Sequence, residues 1–350
     1  MALKGTVTGV RHVVPVDPKR AEGLVADVYR QVESELGVIG PAITLLSPAP
    51  ELLAPVWALL RESLLVGGPQ ERKAKEVVAT VIAVRNECRF CTDAHTMMLH
   101  AAGESELAEA VRSGRTPPEW SALAEWALKP GPEGPFPAEA AARFIGTALA
   151  FELITRLVKA LADDESPSAV ASSRLGRQVA SRLVREAVSA DLAPGASLPL
   201  LEDLPGWVRD VEVREPAWAA GSPVGRAYGA VRAMAGYGSM LLSDQAADAV
   251  ARTVGGGGTG LAGSAPELAG AQGLPSQAAL GARLAVSAAL APGAVAESDV
   301  EEWRGDVFSD HCVVYLLTYG AMTAVDAVQD EIELECAAME RTEQKGSVDA

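Results

Sequence analysis

Apolar residues recur at helical spacing along most of this chain, and no stretch alternates apolar and polar residues as a half-buried strand does. Asp17-Pro18 is an N-cap followed by proline at the first helical position, and it predicts a helix running to Leu36 and stopping at Gly37. Ser47-Pro48 predicts a second helix, reaching about Val66 before Gly67-Gly68. A third is expected over 69–85, with Val77, Val78, Val81, Ile82 and Val84 as its apolar surface. A fourth opens in the cysteine segment beyond it and ends at Gly103. A short helix over 104–111 precedes a break at 114–118, and 129–137 is a Pro/Gly-rich loop. A long helix follows over 138–161, with Phe144, Leu149, Phe151, Ile154, Leu157 and Val158 as core positions.

The stretch 163–167 reads as a boundary between two halves. Beyond it the periodicity predicts helices over 169–189, 222–242, 244–253, 276–290, 300–303 and 309–339, with a Gly-rich linker at 255–273 and a frayed polar tail at 340–350. Residues 136–161 and 308–332 share one pattern, a polar start and then a long Ala-rich amphipathic helix, offset by about half the chain. The expectation is an all-α fold of two tandem helical repeats, 1–164 and 165–350, the second degenerate.

Composition sharpens this. The 350 residues are 49% hydrophobic but only 5% aromatic, so the core is built from Ala, Leu and Val, which favour helix. A formal net charge of −16, with no polybasic block, argues against a nucleic-acid partner. The first 16 residues lack the features of a secretory signal, and no uncharged apolar run approaches the roughly 18 residues that span a membrane, so a cytoplasmic location without membrane contact is expected. Thiols there stay mostly reduced, and paired cysteines point to catalysis or metal binding rather than a structural staple.

The pairing is in Glu76-x11-Cys88-x2-Cys91-x3-His95. Thiol redox chemistry needs a nucleophilic thiolate, a second thiol to close a disulfide and a group to move the proton. Cys88, Cys91 and His95 supply these at i, i+3 and i+7, one face of a helix, and Glu76 can orient the histidine. In a first helical turn the helix dipole would lower a thiol pKa. Zinc is the alternative for Cys88, Cys91, His95 and Glu76. A structural site usually takes a second Cys/His pair, and Cys312 and Cys336 stand singly and far off, so no metal and no cofactor are expected.

This segment resembles the signature of the alkyl hydroperoxidase D-like proteins, within the carboxymuconolactone decarboxylase superfamily. Residues 39–65 look like the two-helix lead-in of those proteins, 86–95 like their central motif, and 136–161 like the helix that closes their bundle. The specific resemblance covers about 15–162; in the second half it rests on the pattern at 296–310 and the helix after it. It implies an all-helical fold that oligomerises, often as trimers or hexamers, and a peroxidase cycle. Cys91 would be the peroxidatic thiolate, Cys88 the resolving partner and proton donor, His95 the proton relay and Glu76 its support. The implied partners are a peroxide or small organic substrate, an external dithiol reductant of lipoyl or thioredoxin-like type, and further copies of the chain. The hydroperoxidase proper has a second histidine just before its second cysteine, where this chain has Phe90. A specialised biosynthetic oxidoreductase and a non-enzymatic redox or metal-binding protein are the rival expectations.

The remaining candidates read as structural. His100 is rotated off the Cys91–His95 face, and His12 and His311 have no partner pattern. Cys312 and Cys336 read as small hydrophobes in helices. Gly255–Gly260 with Thr259 follows a helical pattern and lacks a following Lys-Ser/Thr, so it is a linker rather than a phosphate loop. Trp57, Trp120, Trp126, Trp207, Trp218 and Trp303 have no cage-like spacing and are expected in the core or at interfaces.

Overall fold

Helices and the turns between them account for the backbone of this computed structural model, which describes residues 9–163, 181–206, 212–257 and 260–348. Among the described residues the only extended pairing is an isolated bridge between Val10 and Ala162, so the fold is all-α as expected. The principal helices are α1 (Gly23–Leu36), α2 (Pro50–Leu60), α3 (Pro69–Arg85), α4 (Arg89–Ala101), α5 (Ser105–Arg112), α6 (Pro118–Leu128) and α7 (Ala141–Leu161). They continue with α8 (Pro223–Gly236), α9 (Asp244–Gly257), α10 (Ser276–Leu290), α11 (Glu297–Arg304) and α12 (Asp310–Val348).

Where a cap is local, the helix begins or ends as its sequence predicts. Gly37 ends α1 in the left-handed region (φ 75°) and returns its N–H to the Glu33 carbonyl. The Ser222 side chain accepts from the Gly225 N–H and opens α8. Two expected starts move. Asp17 caps a turn instead of a helix: its carboxylate accepts the Lys19 N–H at 2.9 Å and its carbonyl the Arg20 N–H at 2.8 Å, and α1 begins only at Gly23. Ser47 is taken by a distant segment, its hydroxyl accepting the Val16 N–H at 2.8 Å and donating to the Thr44 carbonyl at 2.6 Å, so α2 starts at Pro50.

Other boundaries are corrected too. Pro118–Leu128, unassigned from the sequence, is helical. Helix α9 runs on through Gly255–Gly257 and α12 through the tail to Val348, because each continues a turn already formed. The boundary at 164–167, the 169–180 part of an expected helix, Trp207, and Gly258 and Thr259 lie outside the described residues.

One continuous apolar core joins the first half to the second. Helix α7 lies inside it, with Phe144, Leu149, Phe151, Ile154 and Leu157 all buried. Helix α8 packs on α2, and α12 packs on both α7 and α10. Close crossings need glycine. A Cβ on Gly320 of α12 would lie 2.0 Å from the Ala285 carbonyl oxygen of α10. One on Gly146 of α7 would lie 2.5 Å from a Val224 methyl of α8. The stretch Asp310–Met339 of α12 is long and apolar enough to cross a membrane by length and composition, and 67% of its most apolar window is buried inside the protein.

A buried charge network anchors the chain after the masked connection. Helix α2 continues as a π-helical turn, Arg61–Leu65. Its Arg61 meets Glu35 at 2.8 Å and Glu62 at 2.7 Å. Glu62 also accepts the Gly195 N–H at 2.7 Å and the Ser197 hydroxyl at 2.6 Å, which holds the 195–197 stretch against α2.

Candidate active site

The turn from α3 to α4 delivers both cysteines. The Glu87 N–H bonds the Val84 carbonyl and the Cys88 N–H bonds the Ala83 carbonyl, the paired pattern of a Schellman ending to α3. That ending puts Glu87 in the left-handed region (φ 53°), a position glycine usually takes. The residue that closes α3 also opens α4: Cys88 is the N-cap, and its Sγ accepts the Cys91 N–H at 3.3 Å. The two thiols are therefore adjacent, free and buried, at 1% and 2% exposure.

The turn is bolted from below to α7. The Asn86 amide donates to Thr155 Oγ1 at 2.9 Å and Glu152 Oε2 at 3.2 Å, and the Asn86 carbonyl accepts from Lys159 Nζ at 3.1 Å. Glu152 pairs with Arg156 at 2.5 Å and with Arg85. Burial pushes the Glu152 carboxyl up, but Arg156 and Arg85 outweigh it and hold that carboxyl below the usual range. An ionised, fully partnered carboxylate thus fixes the backbone that carries the cysteines.

The proton relay comes from α3 and α4 facing each other. His95 Nδ1 lies 2.7 Å from Glu76 Oε2, and Arg72 Nε lies 2.7 Å from Glu76 Oε1. Glu76 and Arg72 are buried, and the His95 side chain is 17% exposed. Phe151 of α7 meets the His95 ring edge-on, centroids 4.5 Å apart, and limits its tilt. Burial raises the Glu76 carboxyl, but Arg72 and then His95 override it and keep the group below the ordinary carboxylate range. An ionised Glu76 on Nδ1 leaves Nε2 as the nitrogen free to take or give a proton. Cys91 and His95 are one turn apart on α4, so relay and thiol share a face.

The structure reverses one expectation. Cys91 does stand in the first turn of α4, yet its thiol sits well above the ordinary value. Burial is the main cause and the adjoining Cys88 thiol the next, and the backbone hydrogen bond does not compensate. Desolvating a thiolate costs more here than the helix terminus returns.

All four predicted site residues are brought together in two contacting pairs, Cys88 with Cys91 and Glu76 with His95. Arg72 was missed. Its signal is a cation four residues before Glu76 on the same helix, and one of its nitrogens, Nη2, is buried without a hydrogen-bond partner among the described residues. Phe90 is half-buried against the core. His100 is a structural residue as expected, buried between Ser105 at 3.0 Å and Glu109 at 2.9 Å. His12 also has a structural role: it is buried, in the left-handed region (φ 69°), and meets Glu297. His311 does have a partner, Glu51 of α2, at 3.3 Å. Among the described residues no three His, Cys, Asp or Glu side chains group as metal ligands.

Residues 50–130 match the model of the carboxymuconolactone decarboxylase family, a span holding all four predicted site residues. The chain is 38% identical over 231 residues to a protein of Mycobacterium tuberculosis (strain ATCC 25618 / H37Rv) named alkyl hydroperoxide reductase Rv2159c. The match covers 63% of this chain and 65% of that protein, a little under two thirds of its length. No solved structure matches the chain.

Proposed function

From a chain whose residues 50–130 belong to the carboxymuconolactone decarboxylase family, we propose a thiol-dependent oxidoreductase that reduces hydroperoxides or a related small substrate. The observation that carries this reading is the buried Cys88–Cys91 dithiol one helical turn from the Arg72–Glu76–His95 chain. The name of the mycobacterial relative supports peroxide chemistry.

In the proposed cycle Cys91 passes its proton to His95, whose imidazolium is held by Glu76. The thiolate attacks the hydroxyl oxygen of the hydroperoxide and the O–O bond breaks. The alkoxide takes the proton from His95 and leaves as an alcohol, and Cys91 becomes a sulfenic acid. The Cys88 thiol displaces hydroxide as water and closes the Cys88–Cys91 disulfide. An external dithiol, of lipoyl or thioredoxin-like type, reduces it by exchange. The raised Cys91 pKa makes proton removal the costly step, so the relay supplies the nucleophile only once substrate is present. A site this buried favours a small substrate. We read the second half as a degenerate repeat that supplies core and interface, and the working form as a homo-oligomer.

Mass spectrometry after one equivalent of an organic hydroperoxide tests the cycle. The expected result is one alcohol formed per chain and a loss of two hydrogens confined to the peptide holding Cys88 and Cys91. Cys91→Ser should abolish both. Oxidation found only in a pair involving Cys312 or Cys336, or no hydroperoxide consumed with excess dithiol, overturns the reading.

A further inference from the structure

We propose that Cys312 is a second reactive thiol, a modification site that forms a mixed disulfide with a low-molecular-weight disulfide carrying a hydrogen-bond donor. The site stands at the start of α12 and repeats the geometry of the first one. Cys91 is the third residue of α4 and has Cys88 three positions before it. Cys312 is the third residue of α12 and has Ser309 three positions before it, with Ser309 Oγ 3.6 Å from Cys312 Sγ. The backbone agrees: the Thr92 N–H bonds the Cys88 carbonyl at 2.9 Å, and the Val313 N–H bonds the Ser309 carbonyl at 3.1 Å.

Three things distinguish this thiol from a packed hydrophobe. It is half-buried and so reachable, whereas Cys91 is only 2% exposed. It has a paired histidine beside it, His311, whose Nε2 lies 3.3 Å from Glu51 Oε1. The hydrogen bond to Glu51 raises the His311 pKa, so the imidazolium is favoured next to the thiol. Burial pushes the Cys312 thiol up, but the Ser309 hydrogen bonds and His311 outweigh it and bring the thiol below its ordinary value. The surrounding charges are accounted for. Asp310 is held by Arg304 at 2.8 Å and by the Val14 N–H at 2.7 Å, Glu51 faces the site from α2, and Tyr237 lies near Tyr315.

Two buried polar atoms in this cluster lack partners and call for a ligand. Tyr315 is 4% exposed, its ring lies 4.7 Å from that of His311, and its hydroxyl has no hydrogen-bond partner among the described residues. Burial and then Glu51 push that phenol up, so it stays a protonated donor close to the carboxylate. The second oxygen of Glu51, Oε2, is likewise unpartnered. Together they offer one acceptor and one hydroxyl to a polar group, and the ionised carboxylate favours an ammonium or amide N–H.

The chemistry is thiol–disulfide exchange. The Cys312 thiolate attacks one sulfur of the small disulfide, a new Sγ–S bond forms, the original S–S bond breaks, and the other half leaves as a thiolate that takes a proton from solvent. The incoming disulfide is the oxidant. Ser309 has a hydroxyl where the first site has the Cys88 thiol, so no intramolecular attack releases the adduct, and it persists until another thiol arrives.

Residue-by-residue alkylation and disulfide exchange on the full chain, read by peptide mapping, test this. At neutral pH Cys312 should react with iodoacetamide about tenfold faster than Cys336 and faster than Cys91, with a midpoint below the ordinary thiol value. Cystamine should leave a mixed disulfide on Cys312 that dithiothreitol removes, and the negatively charged dithiodiglycolate should react more slowly there. Glu51→Gln and His311→Asn should each slow Cys312 while the thermal melt shows a folded protein. If Cys312 reacts no faster than Cys336, or Glu51→Gln and His311→Asn both leave its rate unchanged, the proposal fails. Hydroperoxide turnover at Cys88 and Cys91 is measured separately, so either site can fail alone.

Discussion

At the residue scale the decisive group is Glu76, which is both buried support and relay. Glu76→Ala would strand the Arg72 guanidinium in the core and should cost about 3–5 kcal/mol of stability. Glu76→Gln keeps an acceptor for Arg72 and should fold, yet lower hydroperoxide turnover by roughly 10²–10⁴-fold because His95 loses its counter-charge. Urea unfolding beside steady-state turnover separates the two effects; a Glu76→Gln protein with wild-type turnover would remove the relay. Glu76 and Glu152 also set the acid side of stability, since both carboxyls are held below their ordinary values. Their contribution is full above the unfolded carboxylate range, near about 4.3, and is lost as pH falls through their lower folded values. The denaturant midpoint should therefore drop below about pH 4. The spacing of Glu76, Cys88, Cys91 and His95 was legible because α3, one turn and α4 are consecutive, so sequence distance translates into contact. The Cys91 pKa was not, because the burial that sets it comes from helices remote in sequence.

At the element scale, helix ends set by their own capping residues were legible and those set from afar were not. Pro69–Arg85 and Ser276–Leu290 match their predicted limits residue for residue, with proline or serine at the start. The Ser47 signal failed because its hydroxyl is spent on Val16, 31 positions away. Helix crossings are a further layer that periodicity does not encode. Where α12 passes α10, Gly320 faces backbone, and backbone cannot yield as a side-chain tip can. Gly320→Val should therefore force the two helices apart and cost at least about 1–3 kcal/mol. Gly255→Val, which meets nothing within 4 Å, is the control expected to stay within about 1 kcal/mol of wild type. Equal thermal melts for the two variants would show that this crossing is not tight in solution.

At the scale of the whole molecule the question is what the second half does for the first. Charged and polar pairs bridge long distances in sequence: Glu51 with His311, His12 with Glu297, and Arg61 with the Ala193 carbonyl. None was legible, because each depends on how the halves meet. The core is shared in the same way, since α2 is covered by α8 and α7 by α12. Ending the chain near residue 163 would uncover Phe151, Ile154 and Leu157 on α7 and the α2 face that α8 now covers. An apolar surface of that kind associates. The shortened chain should therefore aggregate or change assembly state, seen by light scattering on size exclusion. The full-length Cys312→Ser/Cys336→Ser variant should stay folded and keep its hydroperoxide turnover, because neither cysteine belongs to the first site. A monomeric, fully active 1–163 fragment would mean that the first half folds alone and that the shared core adds nothing to the chemistry. Loss of turnover in the double cysteine variant would instead place part of the reaction at the start of α12.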